Sequence, residues 1–268
     1  MRPFERLRSL ARASGDDAET LLEEAADCLA GFADDPMGVV IACRRLLAYH
    51  PTVTPLWWLC ARVLGAADPG EGAWAAWRDW RHDRTPARLG GALPFPAELP
   101  VAVAGWPDVV RDGLADRVDL EILAVRNRRD DSLLSRRLRT SVQPVRVVDA
   151  TELAALAPSH LLVSPVATGG ETILVTPGTD ELVDAAREAG AAIWLVVPLA
   201  VALPSRLLDA MREAAGAAEA AGETDGAPPV VWSGPQFDAV VGPDGLGDQA
   251  ALRSRADCGA APELLRLG

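Results

Sequence analysis

The sequence predicts an α/β protein in which an all-helical N-terminal segment precedes a Rossmann-like domain with a mainly parallel sheet. Two observations lead to this fold class. Residues 1–84 carry apolar stripes of helical period only, whereas beyond residue 100 short apolar runs alternate with amphipathic segments. Apolar runs without alternation are typical of parallel strands that are covered by helices on both faces.

Four helices are predicted in the first 84 residues. The first is capped by Asp16 or Asp17, and Pro36 fits the first turn of the second. Thr54 is expected to cap the third. The fourth carries tryptophans at intervals of three residues, a stripe that predicts a core or a domain interface, with ligand stacking as the alternative. These tryptophans are Trp74, Trp77 and Trp80.

Residues 85–99 are rich in proline and glycine, which predicts a linker between a helical domain at 1–84 and an α/β domain at 100–268. The strands predicted after it are Val101–Ala104, Leu120–Val125, Val145–Val148, Leu161–Val163, Ile173–Val175, Ile193–Val197 and Val240–Val241. The helices predicted between them are Pro107–Leu114, Ser132–Leu138, Thr151–Leu156, Thr179–Ala189 and Ser205–Ala215.

Composition excludes several classes of function. The formal net charge of −12 argues against nucleic acid and anionic membranes as partners, since an acidic surface is repelled by phosphate. All 26 basic residues are arginine, so neither a Schiff-base lysine nor a P-loop lysine is present. The four cysteines form no C-x-x-C pair, which argues against a metal site and favours buried free thiols.

The location expected from the sequence is the cytoplasm. Free thiols indicate a reducing compartment, and the N-terminus has no signal-peptide pattern. The sequence contains no uncharged apolar stretch of about 18 residues, so we expect no membrane span. No cofactor motif is present, because the single glycine after the first strand does not make a dinucleotide fingerprint.

Candidate ligand-binding residues follow the predicted strands, since open parallel sheets bind ligands at the carboxyl ends of their strands. Gly105 lets a ligand approach the backbone, the Arg126 guanidinium suits phosphate, and Asp149 can bind a sugar hydroxyl. Gly178 and Thr179 open a helix whose N-terminus favours an anion. Structural alternatives stay open: a plain turn at Gly105, a solvated face for the arginines that follow Arg126, and helix caps at Asp149 and Thr179.

Three further arginines follow on the next predicted helix, where we interpret them as a solvated face. They are Arg136, Arg137 and Arg139. No catalytic residues are predicted. The chain has no nucleophile elbow, and its histidines, which are far apart in the sequence, are interpreted as structural. They are His50, His82 and His160.

Three stretches of the α/β half resemble one known family. They are Val125-Arg126-Asn127-Arg128, residues 143–150 (QPVRVVDA) and residues 160–179 (HLLVSPVATGGETILVTPGT). They are similar to motifs shared by the alpha, beta and delta regulatory subunits of translation initiation factor 2B, methylthioribose-1-phosphate isomerase and ribose-1,5-bisphosphate isomerase. The resemblance implies a helical N-terminal domain, dimers built across the α/β domain, and ligand sensing in some members.

The resemblance breaks down at the catalytic positions. The isomerases use a cysteine and an aspartate as an acid–base pair, and these fall near Gly105-Trp106 and Val166 here. Their Asn-Lys pair falls on Val175-Thr176. Isomerisation needs a proton shuttle, which apolar residues cannot supply. We therefore expect a non-catalytic, oligomeric protein, a homodimer or larger, that binds a phosphorylated sugar or nucleotide, acts as a regulatory module, or does both.

Two alternatives stay open from the sequence alone. One is an isomerase with a relocated active site that uses Asp149 or Asp108 as its base. The other is a scaffold that docks a partner through the tryptophan-bearing helices, which requires those rings to be exposed as an apolar patch.

Overall fold

The computed structural model describes residues 10, 18–95, 97–127, 131–139, 143–222, 228–233 and 237–267. The predicted caps Asp16 and Asp17 lie outside the described residues, as does Arg128 of the motif after the second strand.

The N-terminal part is helical, as predicted. Its helices are α1 (Ala18–Ala30), α2 (Pro36–Tyr49), α3 (Thr54–Leu64), α4 (Pro69–Arg81) and α5 (Thr85–Ala92). Two begin at aspartate caps, since Asp35 accepts a hydrogen bond from the Gly38 amide and Asp68 accepts one from the Gly70 amide. A proline in the first turn of each helix fits its missing N–H.

The prediction that Thr54 caps α3 is wrong. Val53 occupies the cap position without a side-chain hydrogen bond, and the buried Thr54 hydroxyl donates instead to the Val166 carbonyl at 2.5 Å. The Met211 sulfur lies 3.7 Å from the same hydroxyl. Thr54 therefore joins the helical part to the α/β part.

The predicted linker at 85–99 begins with helix α5. Leu89 of this helix is fully buried against the sheet, in a cluster with Val103 and Leu114. The first half of the segment is thus packed structure, and the division into two domains stays a prediction.

The main sheet confirms the predicted fold class. Within the described residues it consists of β1 (Val101–Ala104), β2 (Ile122–Val125), β3 (Val145–Val148), β4 (His160–Val163), β7 (Ala192–Val196), β9 (Ala239–Gly242) and β10 (Gly245–Gly247). Six of these strands are parallel and β10 is an antiparallel edge strand, in the spatial order β10-β9-β7-β4-β1-β2-β3. Alternate residues of the central strands enter two separate apolar clusters, so both faces of the sheet are buried there, while Arg146 and Val147 of the edge strand β3 are exposed.

One predicted strand lies elsewhere. Ile173–Val175 belongs to β6 (Thr172–Val175), which pairs antiparallel with β5 (Ala167–Gly169) and β8 (Val230–Val231) in a separate small sheet. The apolar run is correct, but the expectation that it joins the parallel sheet is wrong.

The remaining helices connect the strands. They are α6 (Asp108–Leu114), α7 (Asp131–Leu138), α8 (Leu153–Leu156), α9 (Thr179–Glu188), α10 (Ser205–Ala221) and α11 (Gln249–Ser254). Short 3-10 turns cover Ala150–Glu152 and Pro262–Leu264.

Candidate functional site

The strand order of the sheet reverses between β1 and β4, which makes the carboxyl ends of these two strands its topological switch point. We call this place the crossing point. These strands are neighbours, but the chain continues from β1 to β2 and β3 on one side and from β4 to β7 and β9 on the other. Loops that leave two adjacent strands in opposite directions open a crevice, which is where doubly wound sheets bind ligands.

A cavity of about 760 Å³ lies at this crossing point. Three loops of the α/β part reach it, with Pro107 after β1, Ser164 after β4 and Pro198 after β7. The helical part closes the opposite side with Trp80 and Arg81 of α4. The other lining residues are Ala18, Glu19, Pro55, Asp83, Pro86, Asp108, Val109, Arg111, Asp112, Arg137, Leu199 and Val201.

The loop after β7 is fixed by hydrogen bonds to its backbone. Asp83 from the helical part accepts from the Leu199 amide at 2.9 Å, and Asp257 accepts from the Ala200 amide at 3.0 Å. Arg255 donates to the Val197 and Pro198 carbonyls at 2.8 and 2.9 Å. These bonds hold Ala200 at a φ of 71°, a conformation that alanine rarely adopts.

The charged side chains in the wall are largely paired with each other. Arg111 donates to Asp108 at 2.7 Å and to Asp112 at 2.9 Å, and Arg81 pairs with Glu19. Burial lowers the pKa of Arg111, but the hydrogen bond and charge of Asp112 and the charge of Asp108 outweigh it, so its pKa is raised and it stays charged.

The wall carries one more formal negative charge than positive. Three guanidinium groups, of Arg81, Arg111 and Arg137, face four carboxylates. The carboxylates belong to Glu19, Asp83, Asp108 and Asp112. The charge of the guanidinium groups is therefore offset by the carboxylates of the same wall, and the excess carboxylate opposes a ligand that carries several negative charges.

The predicted ligand-binding residues all lie at this carboxyl edge. The Gly105 amide donates to Val125 at the end of β2, and the Arg126 amide donates to Val148 at the end of β3, where Asp149 follows. The Asn127 side chain donates to the Pro177 carbonyl at 2.8 Å, which brings the turn before α9 to the same edge. None of the five, all of them described, is a lining residue of the cavity.

The turn at Gly178 and Thr179 is less suited to an anion than the sequence suggested. Thr179 is not the cap of α9, because Gly178 takes that position, and the Thr179 hydroxyl and amide both donate to the Thr176 carbonyl. Burial and the neighbouring carboxylates of Glu181 and Asp184 raise the pKa of Asp180. This acidic first turn already offsets the positive end of the helix.

Asp149 acts as a helix cap. It is exposed and forms a capping box with Glu152, whose carboxylate accepts from the Asp149 amide at 2.8 Å. This is the structural alternative that the sequence left open.

The histidines have structural contacts. His50 is buried with Nε2 2.9 Å from the Leu10 carbonyl, and His82 Nδ1 lies 2.7 Å from the Arg78 carbonyl. His160 starts β4, at the opposite end of that strand from the cavity, and packs edge-on against Trp194. Burial lowers the pKa of His160, against the nearby charge of Asp238.

The cysteines lie apart from the cavity. Cys28, Cys43 and Cys60 are buried in the helical core, and Cys258 packs against it. Burial and the neighbouring Cys43 raise the pKa of Cys60, while burial and the charge of Asp257 raise that of Cys258 to about 12, against the opposing charge of Arg62. These two thiols are therefore protonated at neutral pH.

Sequence reasoning missed most of the cavity wall. Arg137 belongs to the arginine run that we interpreted as a solvated face, yet it lines the cavity and its Nε is buried. A proline follows β4 at Ser164-Pro165 and β7 at Val197-Pro198. These prolines could have indicated that loops begin at this edge of the sheet. Trp80, Arg81 and Asp83 reach the cavity only through long-range packing, which no local pattern reveals.

Neither a metal centre nor a membrane span is found in the described ranges. They contain no group of three or more potential metal ligands, and none of their helices is long and apolar enough to cross a bilayer.

Solved structures resemble this chain closely in fold. The beta subunit of translation initiation factor eIF2B from Chaetomium thermophilum matches with a TM-score of 0.65 at 14% identity, over 93% of this chain and 89% of that one. A chain of the tetrameric eIF2B-beta2-delta2 complex of the same organism matches with a TM-score of 0.63 at 13% identity, over 94% and 92%. The 5-methylthioribose 1-phosphate isomerase from Pyrococcus horikoshii matches with a TM-score of 0.60 at 15% identity, over 91% of this chain and 84% of that one.

The chain has the fold of these proteins. The resemblance stated from the sequence motifs is thus confirmed at the level of architecture, helical N-terminal part included. No protein-family model and no curated protein matches the sequence. Because one fold occurs both in subunits of a translation initiation factor and in an isomerase, function has to be argued from the site.

Proposed function

We propose that this protein binds one phosphorylated small molecule, a sugar phosphate or a nucleotide, in the crossing-point cavity without transforming it. The observation that carries the proposal is the position of that cavity. The cavity lies where doubly wound sheets bind their ligands, and its wall contains three arginine side chains.

The absence of turnover is argued from the chemistry of the wall. None of the lining residues, all of which are described, is a cysteine or a histidine. Asp108 is held by Arg111, and Asp83 accepts from the Leu199 amide and from the Thr85 hydroxyl and amide. Carboxylates occupied in this way are poor proton shuttles for isomerisation.

Calorimetric titration with ribose 5-phosphate and with nucleoside 5′-monophosphates tests the proposal. We expect Arg137→Ala to weaken binding by about tenfold or more, since a charge-assisted bond to phosphate is lost. Arg139→Ala is the matched control, because Arg139 follows the same helix but is exposed and does not line the cavity.

Two results would contradict this function. If no compound bound at millimolar concentration, the cavity would not be a phosphate-ligand site. If the protein exchanged the C1 or C2 protons of a bound pentose phosphate with solvent, and Asp108→Asn abolished the exchange, the relocated isomerase would be the better assignment.

We also propose that the protein self-associates. The supporting observation is the fold shared with a chain of a tetrameric complex, together with exposed apolar side chains such as Met37 and Tyr49. Sedimentation velocity across a hundredfold concentration range should show a dimer or larger species, and a monomer throughout would refute it.

The scaffold alternative has less support. Trp77 and Trp80 pack against the helical core, and Trp74 meets Trp77 edge-on with ring centroids 5.8 Å apart. The three rings are half-buried rather than presented as an apolar patch.

A further inference from the structure

Helix α2 is apolar on both its inner and its outer side. The outer side carries Met37, Ile41 and Tyr49, which are 69%, 40% and 62% exposed. A helix on a protein surface ordinarily has charged and polar residues on the side that faces away from the core. The residues buried on the inner side are Gly38, Val39, Ala42, Cys43, Leu46 and Leu47.

The exposed apolar residues of α2 lie in one row. Met37, Ile41, Arg45 and Tyr49 follow one another at intervals of four residues, and positions four apart are neighbours on a helix surface. All four are exposed. We call these four residues the outer row. Contiguous apolar side chains in such a row indicate a contact surface.

We propose that the outer row is the contact between two copies of this chain, whose α2 helices pack antiparallel about a two-fold axis. This inference rests on the self-association proposed above and names its surface. A two-fold axis at Ile41 places that side chain against its own copy. It also places Met37 beside Arg45 of the other copy, whose aliphatic stem can cover it.

The charges next to the outer row are self-complementary. Asp34 and Asp35 lie just before the helix and are exposed, whereas Arg45 is exposed in its second half. Antiparallel packing brings the acidic start of each helix near the basic half of the other, and parallel packing would set like charges side by side. Asp35 already caps the helix by accepting from the Gly38 amide, so Asp34 is the carboxylate we assign to Arg45 of the other copy.

The balance of charge also favours this surface over others. The chain has a formal net charge of −12, so two copies repel each other over most of their surface. In the segment from Asp34 to Tyr49, the two carboxylates of Asp34 and Asp35 are balanced by the guanidinium groups of Arg44 and Arg45. Copies that approach along α2 therefore avoid the general repulsion.

The size of the surface sets the strength of the contact. One helix face is smaller than the roughly 800 Å² per partner of a stable complex, so we expect a reversible contact with a dissociation constant on the order of micromolar. The dimers implied by the sequence resemblance are built across the α/β domain, which is a different surface. The α2 contact therefore either pairs two chains or joins two such dimers.

Sedimentation velocity of the full chain tests the contact, over the hundredfold concentration range used for self-association. The mass of the wild type should rise with concentration. Ile41→Arg should reduce the mass of the largest species to about half, because it puts two like charges together at the two-fold axis. Val118→Arg is the control, since Val118 is 92% exposed but belongs to the α/β part, and circular dichroism confirms that both variants fold.

A charge exchange tests the antiparallel arrangement. Asp34→Arg and Arg45→Asp should each raise the dissociation constant by about fivefold or more, because each replaces two attractive pairs of the dimer by repulsive ones. The double variant restores both pairs with their signs exchanged. Its dissociation constant should therefore return to within about twofold of the wild type.

The outcomes distinguish this inference from the self-association on which it rests. A wild-type chain that is monomeric at every concentration overturns both. An oligomer whose mass is unchanged by Ile41→Arg overturns the α2 contact and leaves self-association standing. A double charge variant that associates no better than the single ones overturns the antiparallel arrangement.

Discussion

At the scale of single residues, the ion pair of Arg117 and Asp119 organises the segment that enters the sheet. Arg117 is buried and donates to both Asp119 oxygens at 2.8 Å. The same guanidinium donates to the carbonyls of Gly90, Leu93 and Pro94, which follow or end α5. The N–H donors of the Arg117 guanidinium have a fixed geometry, so this one side chain connects the segment after α6 to the segment before β1.

This pair makes stability depend on pH. The hydrogen bond from Arg117 holds the pKa of Asp119 well below its ordinary value, and the bond from the Ala97 amide adds to this, against the opposing effect of burial. The unfolded carboxyl binds its proton near pH 3.9 and the folded one only in stronger acid. The contribution to the free energy of unfolding is therefore fully present above about pH 5 and is lost as pH falls below about 4.

We expect Arg117→Leu to lower the free energy of unfolding by about 2 kcal/mol or more at pH 7, since bonds to a charged donor are lost. At pH 3 the difference from wild type should be smaller. Urea unfolding at both pH values measures it. Arg146→Leu is the control, because its half-exposed side chain lies 3.7 Å or more from its carboxylate partners. An equal loss at both pH values would contradict the assignment.

At the scale of elements, the turn before α9 depends on a glycine. Gly178 has a φ of 93°, and a β-carbon there would lie 2.9 Å from Asn127 Oδ1. Asn127 is itself held by the Pro177 carbonyl, so it cannot move away without losing that bond. The turn after the small sheet and the end of β2 therefore fit together only with glycine at this position.

Gly178→Ala should lower the free energy of unfolding by about 1–3 kcal/mol through the left-handed backbone and the contact with Asn127. Gly216→Ala should raise it by about 1 kcal/mol, because Gly216 lies inside α10 and a β-carbon there meets open space. Thermal and urea unfolding of both variants provide the comparison. If Gly178→Ala left the free energy of unfolding unchanged or raised it as Gly216→Ala does, the turn would not be constrained in this way.

The elements also show what local patterns can and cannot predict. The strands of the parallel sheet were found within a residue or two because most of them are short apolar runs, as burial on both faces requires, although the edge strand β3 contains Arg146 and is largely exposed. The strand Thr172–Val175 shows the same kind of run, but its partners Ala167–Gly169 and Val230–Val231 are too short to carry a pattern. Its sheet could therefore not be assigned from the sequence.

The candidate site was predictable to the same extent. The rule for strand ends placed Gly105, Arg126 and Asp149 at the correct edge of the sheet, since it depends only on parallel pairing. The cavity itself depends on how α4 packs over that edge, and this brings Trp80 and Arg81 across a long stretch of chain. Residues that meet only through tertiary packing produce no local sequence pattern, so they could not be predicted as part of the cavity wall.

At the scale of the whole molecule, one apolar cluster joins the helical part to elements of the α/β part. Leu207, Leu208 and Met211 of α10 are buried in the same cluster as α1 to α4, together with Leu174 of the small sheet. Polar contacts cross the same boundary, including the Trp58 indole N–H, which donates to the Asp257 carbonyl at 2.8 Å. A core built from both parts predicts that neither unfolds alone.

Met211→Ala tests this coupling, because the side chain is fully buried where α10 meets α3. We expect a loss of about 2–5 kcal/mol in the free energy of unfolding.

In urea, pulse-labelling hydrogen exchange should show peptides of α3 and of β4 losing protection together, at a midpoint lowered equally for both. Val118→Ala, at a side chain that is 92% exposed, should leave the midpoint within experimental error. If α3 lost protection at lower urea than β4, the two parts would be separate folding units, as the division at residues 85–99 first suggested. A shared midpoint means instead that a ligand bound between the two parts stabilises the entire chain, since occupancy of the cavity then opposes the one unfolding transition.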